Sequence, residues 1–200
     1  VWVVADGMGG HQSGDLASQM VIDLVARIGA SEKRSQVVEY VEDALITANR
    51  RLYRKSLEGE RPTVIGSTVA ALVVVGGYAV SAWAGDSRVY RLRAGVLEQV
   101  SRDHSEVEEL IEQGVLTRAT AEEHPAANVI TRAVGGAEEL YLEMELVRLK
   151  NLDRFLLCSD GLYKELKEQE IAVHLAEGDS AQACAQLLNT ALSRRCTDNV

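Results

Sequence analysis

The chain has 200 residues, a hydrophobic fraction of 46% and 30 acidic against 21 basic residues, for a net charge of −9. This is enough apolar material for one sizeable domain over residues 1–200, too much for disorder, and the wrong charge for generic nucleic-acid binding, which needs a basic face. Three cysteines, Cys158, Cys184 and Cys196, lack paired zinc spacing and read as free thiols in a reducing, cytoplasmic compartment.

Residues 1–5 read as a buried strand that stops abruptly at Asp6-Gly7-Met8-Gly9-Gly10-His11. Helical spacing of apolar residues follows over 13–27 and again over 35–57. In the second helix Arg50, Arg51, Arg54 and Lys55 crowd the C-terminal end, where cations complement the helix dipole on a solvated face. The texture then turns to short β-rich runs at 66–75, 78–84, 88–92 and 96–100. Gly76-Gly77, Gly85-Asp86 and Ala94-Gly95 separate them, as in an antiparallel meander. The longest apolar stretch, 69–83, is too short and too interrupted to span a bilayer.

Residues 101–139 form a polar excursion with one short helix near 106–113, the composition of a functional flap. Strand signals return at 140–149 and 155–158. The second of these ends in Ser159-Asp160-Gly161, repeating the figure at Asp6-Gly7. Helices near 167–176 and 180–193 precede a terminal Thr197-Asp198-Asn199-Val200, where another strand starts. The chain begins in mid-strand, carries no secretory leader, and reads as a fragment trimmed at both ends. Helices, then strands, then helices predict an α+β fold of two antiparallel sheets covered by helices.

Four aspartates sit at turns beside apolar strands: Asp6, Asp86, Asp160 and Asp198. Singly, each is an ordinary turn or helix-cap residue. Jointly they are drawn from the whole length of the chain, and strand ends distant in sequence can meet on one edge of a sandwich. Several carboxylates suit a hard cation such as Mn²⁺ or Mg²⁺, which takes oxygen ligands. Two such ions about 3.5–4 Å apart share a bridging carboxylate and activate a water without a protein nucleophile. Asp15, Asp23, Asp43, Asp153 and Asp179 are read instead as caps or solvated residues.

Rival phosphate chemistries fit less well. Residues 9–15 lack the lysine of a P-loop. Six residues after Cys158 stands Lys164, not the arginine of a cysteine phosphatase, and G-x-S-x-G is absent. His11 either contacts a metal water or phosphate, or caps the following helix. Thr68 either touches a metal-bound water or is satisfied by the sheet. Arg88 either contacts phosphate or, the reading preferred, forms a salt bridge in its turn. Asp103-His104-Ser105 is a turn and helix cap or an outer element of the site.

Seven motifs occur in order: Val4-Ala5-Asp6-Gly7-Met8-Gly9-Gly10-His11, Gly66-Ser67-Thr68, Ala84-Gly85-Asp86-Ser87-Arg88, Asp103-His104-Ser105, Ile130-Thr131-Arg132-Ala133-Val134-Gly135, Leu157-Cys158-Ser159-Asp160-Gly161-Leu162 and Thr197-Asp198-Asn199-Val200. Together they closely resemble the PP2C-type, metal-dependent serine/threonine protein phosphatases in their bacterial form. The resemblance implies a central β-sandwich flanked by helices, a four-layer αββα arrangement, with Mn²⁺ or Mg²⁺ at one end. It matches Asp6 to the carboxylate bridging two core ions and Gly7 to a carbonyl ligand. Asp160 and Asp198 match further ligands of the core pair. Asp86, with Asp160, matches the holders of a third, weaker ion, and Asn199 stands beside the last ligand. Met8 replaces the histidine that eukaryotic relatives carry there. The family also has an arginine and an acidic residue in a segment before Val1.

The implied activity is hydrolysis of phosphoserine and phosphothreonine on proteins, in signalling opposite a serine/threonine kinase. The implied protein is a cytoplasmic monomer that binds no nucleic acid. The alternatives are a non-catalytic docking module on the same fold and a metal phosphoesterase for small molecules.

Overall fold

The computed structural model describes residues 1–28, 36–58, 63–121, 123–194 and 198–200. Cys196 and Thr197 lie outside these, as does the side chain of His11. Among the described residues nine strands and seven helices follow the expected order of helices, a strand-rich middle and helices, with some additions. The strands are β1 Trp2–Val4, β2 Gly7–Met8, β3 Gly66–Ser67, β4 Val69–Val75, β5 Tyr78–Ala84, β6 Arg88–Arg93, β7 Val96–Gln99, β8 Glu143–Arg148 and β9 Arg154–Cys158. The helices are α1 His11–Ala26, α2 Val37–Ser56, α3 Glu106–Glu112, α4 Arg118–Ala121, α5 Asp160–Tyr163, α6 Glu168–Ala176 and α7 Ser180–Ser193.

Two antiparallel sheets carry the fold, in the orders β1-β4-β5-β8 and β7-β6-β9, with β2 and β3 as a small separate pair. Side chains alternate across a strand, and that period assigns the layers. On β4, Val69, Ala71 and Val73 pack with Val21, Val41, Leu45 and Leu52 of α1 and α2. Ala70 and Leu72 turn the other way, into the space between the sheets, beside Val89, Phe155 and Leu157. On the second sheet Tyr90, Leu92 and Cys158 face outward onto Leu162, Ile171, Leu175, Leu187 and Ala191 of α5, α6 and α7. Helices, sheet, sheet and helices thus stack as four layers around a face-to-face sandwich.

The helices start where local chemistry dictates. Asp179 caps α7 by accepting from Gln182 N at 2.8 Å, while Gln182 Oε1 accepts from Asp179 N at 3.1 Å, a reciprocal capping box. Ser105 accepts from Glu108 N to cap α3. Arg54 and Lys55 occupy the last turn of α2.

The expected meander is corrected in one respect. β4 and β5 form a hairpin in the first sheet, but β6 and β7 belong to the second. The crossing is made at Gly85-Asp86-Ser87, where Gly85 has φ +110° and a Cβ would meet Thr68 Cβ at 2.7 Å. Only glycine permits that backbone at that approach. The crossing leaves Asp86 at the mouth of the sandwich. Asp153 is a second correction: its side chain is 2% exposed and paired with Arg93 rather than solvated.

Candidate metal centre

Asp6 follows β1, and its backbone is fixed from both sides by the Gly66-Ser67-Thr68 turn. Thr68 N donates to Asp6 O at 2.8 Å, Ser67 Oγ donates to the same oxygen at 3.0 Å, and Asp6 N donates to Thr68 Oγ1 at 3.2 Å. The Thr68 hydroxyl also bonds Ser87 Oγ at 2.7 Å, tying the Asp6 turn to the Asp86 turn. Thr68 is therefore satisfied by protein groups. Gly7 lies against α1 so closely that a Cβ would stand 1.9 Å from Gly14 O. The Asp-Gly step is thus clamped between β3 and the first helix.

Asp86 is nearly buried. Its carbonyl accepts from Tyr163 Oη at 3.1 Å. The Tyr163 ring lies under the Arg88 guanidinium, 3.6 Å from its centre. Arg88 in turn grips Asp103 through Nε and Nη2, at 2.6 Å for the shortest contact, the salt bridge the sequence suggested. On the other side Gly85 N donates to His104 Nδ1 at 3.1 Å and His104 N donates to Gly85 O at 2.9 Å. That leaves the proton on Nε2, facing Glu143 Oε1 at 3.2 Å. Burial, with the nearby Arg132 charge, holds the His104 imidazole below its ordinary pKa. Asp103-His104-Ser105 is therefore a brace behind Asp86.

Asp160 opens α5 just after β9. Its Oδ2 accepts from Lys164 Nζ at 2.6 Å. Its Oδ1 is buried and receives no hydrogen bond. Asp198 and Asn199 dock beside it: Ser159 Oγ donates to Asn199 O at 3.3 Å, and a Cβ on Gly161 would lie 2.2 Å from that oxygen. The glycine of the second Asp-Gly step is what admits Asn199.

The four turn aspartates share one electrostatic neighbourhood. Asp6 is pushed up to about 6, first by burial and then by the charges of Asp160, Asp198 and Asp86, with a hydrogen bond to Asp160. Asp86 also rises to about 6, through burial and the charge of Asp160. Such crowding favours either a shared proton or a bound cation. No group of three or more His, Cys, Asp or Glu side chains has closed ligand spacing among the described residues. The carboxylates are close enough to raise one another but do not form a closed cage. The orphaned Asp160 Oδ1 and the oxygen-only donor set fit a hard divalent ion.

The full sequence matches the protein phosphatase 2C family over residues 1–196. The chain belongs to the protein phosphatase 2C family. The serine/threonine protein phosphatase PstP of Mycobacterium tuberculosis is 34% identical over 203 residues, covering 98% of this chain and 38% of PstP. The chain thus spans well under half of that relative. A structure of PppA, described as a key regulatory component of T6SS in Pseudomonas aeruginosa, aligns with TM-score 0.88 and 41% identity over 99% of this chain and 82% of that one. A structure of the PstP catalytic domain in complex with two manganese ions aligns with TM-score 0.88 and 30% identity, covering 98% and 83%. The α+β sandwich expected from the sequence is the fold of these phosphatases.

Three residues bearing on the centre escaped the sequence reading. Lys164 was weighed only as a poor substitute for an arginine, although Asp160 and Lys164 stand at the i, i+4 spacing of a helical ion pair. Asn128 and Tyr163 gave no signal, because their partners are 36 and 77 residues away.

Proposed function

We propose that the protein hydrolyses phosphoserine and phosphothreonine esters on proteins at a centre of two divalent ions, Mn²⁺ or Mg²⁺. The observation that carries this is the convergence of Asp6, Asp86, Asp160 and Asp198 at one end of a phosphatase 2C sandwich, where burial and then the charges of the other three raise Asp6 to about 6. Asp6, the Gly7 carbonyl, Asp160 and Asp198 would hold the ions. Bound divalent ions supply Lewis acidity that activates a water for attack on phosphorus and neutralises the phosphoryl oxygens. The chain's own residues do the positioning. Ser67 and Thr68 lock the Asp6 backbone, Gly161 admits Asn199, and His104 and Tyr163 hold the Asp86 turn.

Residues 101–139 would act as a flap that shapes substrate choice. A backbone bridge of Ser105 to Ile130 closes them on themselves, and one of Ser67 to Val134 ties them to the body. Substrates would be phosphoproteins made by a serine/threonine kinase, met in the cytoplasm by a monomer. No helix among the described residues is long and apolar enough to cross a membrane.

The test is phosphate release from a phosphothreonine peptide by the full-length protein, with Mn²⁺ and then with a chelator. Turnover should vanish with the chelator and fall by about two orders of magnitude or more in Asp160→Ala. Chelator-resistant turnover removes the mechanism. Absence of turnover with Mn²⁺ bound makes the protein a docking module, and a preference for phosphorylated metabolites over the peptide makes it a small-molecule phosphoesterase.

A further inference from the structure

Lys164 stands one helical turn after Asp160, with its backbone N donating to Asp160 O at 3.0 Å. Its ammonium makes two charge-assisted bonds, to Asp160 Oδ2 at 2.6 Å and to Asn128 Oδ1 in the flap at 2.7 Å. The same charge reaches Asp86. One cation therefore faces two of the four turn aspartates and the flap together.

An ordinary helical i, i+4 ion pair would be exposed at both ends and would stop at its own helix. Here the carboxylate is 13% exposed, and the second bond joins residues 36 apart in sequence. The two oxygens of Asp160 are divided. Oδ2 is taken by Lys164, while Oδ1 is buried and receives no hydrogen bond. One oxygen remains for the core ions, and the other already has its positive charge. The corner between Asp86, Asp160 and the flap is where the family resemblance implies a third, weaker ion.

We propose that Lys164 is a built-in cation that takes the place of a third metal ion, tying the flap through Asn128 to Asp160, so that this protein holds two ions and not three. The proposal rests on the metal reading of Asp6, Asp160 and Asp198. A divalent ion seated between Asp86 and Asp160 would have to displace the ammonium or sit beside it, and like charges a few ångströms apart repel strongly in a partly buried site. A lysine there also keeps its charge at any ion concentration. Flap attachment is thereby uncoupled from supply of the weakly held metal. Lys164 acts as a positioning residue.

The test counts Mn²⁺ bound at equilibrium to the full-length protein, by electron paramagnetic resonance of the free ion. Wild type should bind two ions and Lys164→Ala three, the added ion being the weakest. Lys164→Arg, which keeps a positive charge, should bind two. Amide hydrogen exchange over residues 126–130 should be faster in Lys164→Ala than in wild type, and should slow again only at Mn²⁺ concentrations that fill the added site. Two retained core ions show that the variant is folded. A third ion on wild type, or no added ion on Lys164→Ala, overturns the proposal and leaves the two-ion centre standing. If wild type binds no Mn²⁺, the metal reading itself fails and this inference falls with it.

Discussion

Asp6 carries a charge that its surroundings oppose. Burial and three neighbouring carboxylates raise it from 3.8 to about 6, so the metal-free folded state binds its proton more tightly than the unfolded chain does. A raised carboxylate adds nothing unfavourable below about pH 4. Its destabilising effect grows as pH rises from about 4 to about 6, and is fully present at pH 7. Asp6→Asn should therefore match the metal-free wild type at pH 4 and exceed it at pH 7, by roughly 1–2 kcal/mol after allowing for solvent screening at a half-exposed site. Thermal melts of the two proteins in chelator at pH 4, 5, 6 and 7 check this. A difference that stays flat with pH would mean that Asp6 is not crowded. With Mn²⁺ the order should reverse, because the variant would lose a carboxylate that the proposed centre uses to hold the ions. This behaviour could not be read from the sequence in magnitude, though its source could. Four Asp-containing turns beside apolar strands were visible, but the burial that raises Asp6 and Asp86 depends on strands 60 and more residues away. Asp153 illustrates the limit. It looks like a loop residue locally, yet Arg93 arrives from β6 to bury it and holds its carboxyl down at about 2.

At the scale of elements, legibility followed periodicity. The strand predicted over 78–84 and the helix over 180–193 match β5 and α7 because long alternating or helical patterns, with a capping box at Asp179, leave little choice. β2 and α5 were missed. They are two and four residues long, and only partners remote in sequence define them: Ser67 and Gly66 for β2, and the second sheet and α7 for α5. The crossing at Gly85-Asp86-Ser87 was read as one more hairpin turn, since a glycine turn does not reveal which sheet the next strand joins. Asn49 is a further case. It reads as one polar residue on α2, but it is fully buried and anchors the flap's return. Its Oδ1 accepts from Gly135 N at 2.6 Å and its Nδ2 donates to Ala137 O and Glu138 O at 3.0 and 3.1 Å. Asn49→Ala removes all three bonds and strands the Gly135 amide in a dry environment, for a loss of about 2–4 kcal/mol. The signature in limited proteolysis should be early cleavage within 101–139. Uniform cleavage across the chain would mean that Asn49 supports the core at large and not the flap.

Across the whole molecule, the proposed ligands are distributed so that ions would act as a clamp between layers. Asp6 extends from the first sheet, Asp86 lies on the crossing between sheets, and Asp160 follows β9 of the second sheet. The contact between the sheets is thin: Ala70, Leu72, Ala79 and Val89, with Val100, Leu149, Phe155 and Leu157 partly buried against them. Two of these are alanines, so the apolar burial joining the sheets is modest beside that under either helical layer. Neutralising the crowded carboxylates removes repulsion at the mouth of that seam and also links its two sides. Binding of Mn²⁺ at 100 times its dissociation constant should stabilise the folded state by about 2.7 kcal/mol, read as a rise in melting temperature of a few degrees. The gain should reach the seam itself. Amides of Leu72, Val89 and Leu157 should gain more protection with Mn²⁺ than the global rise in stability requires, whereas those of α2, packed on the far side of the first sheet, should gain no more than that global rise. In Asp160→Ala both effects should shrink, because the second sheet then lacks its proposed ligand while Asp6 keeps its place on the first. Protection confined to the turns around Asp6 and Asp160, with the seam unmoved, would show that the ions order the site locally and that the sheets are joined without them.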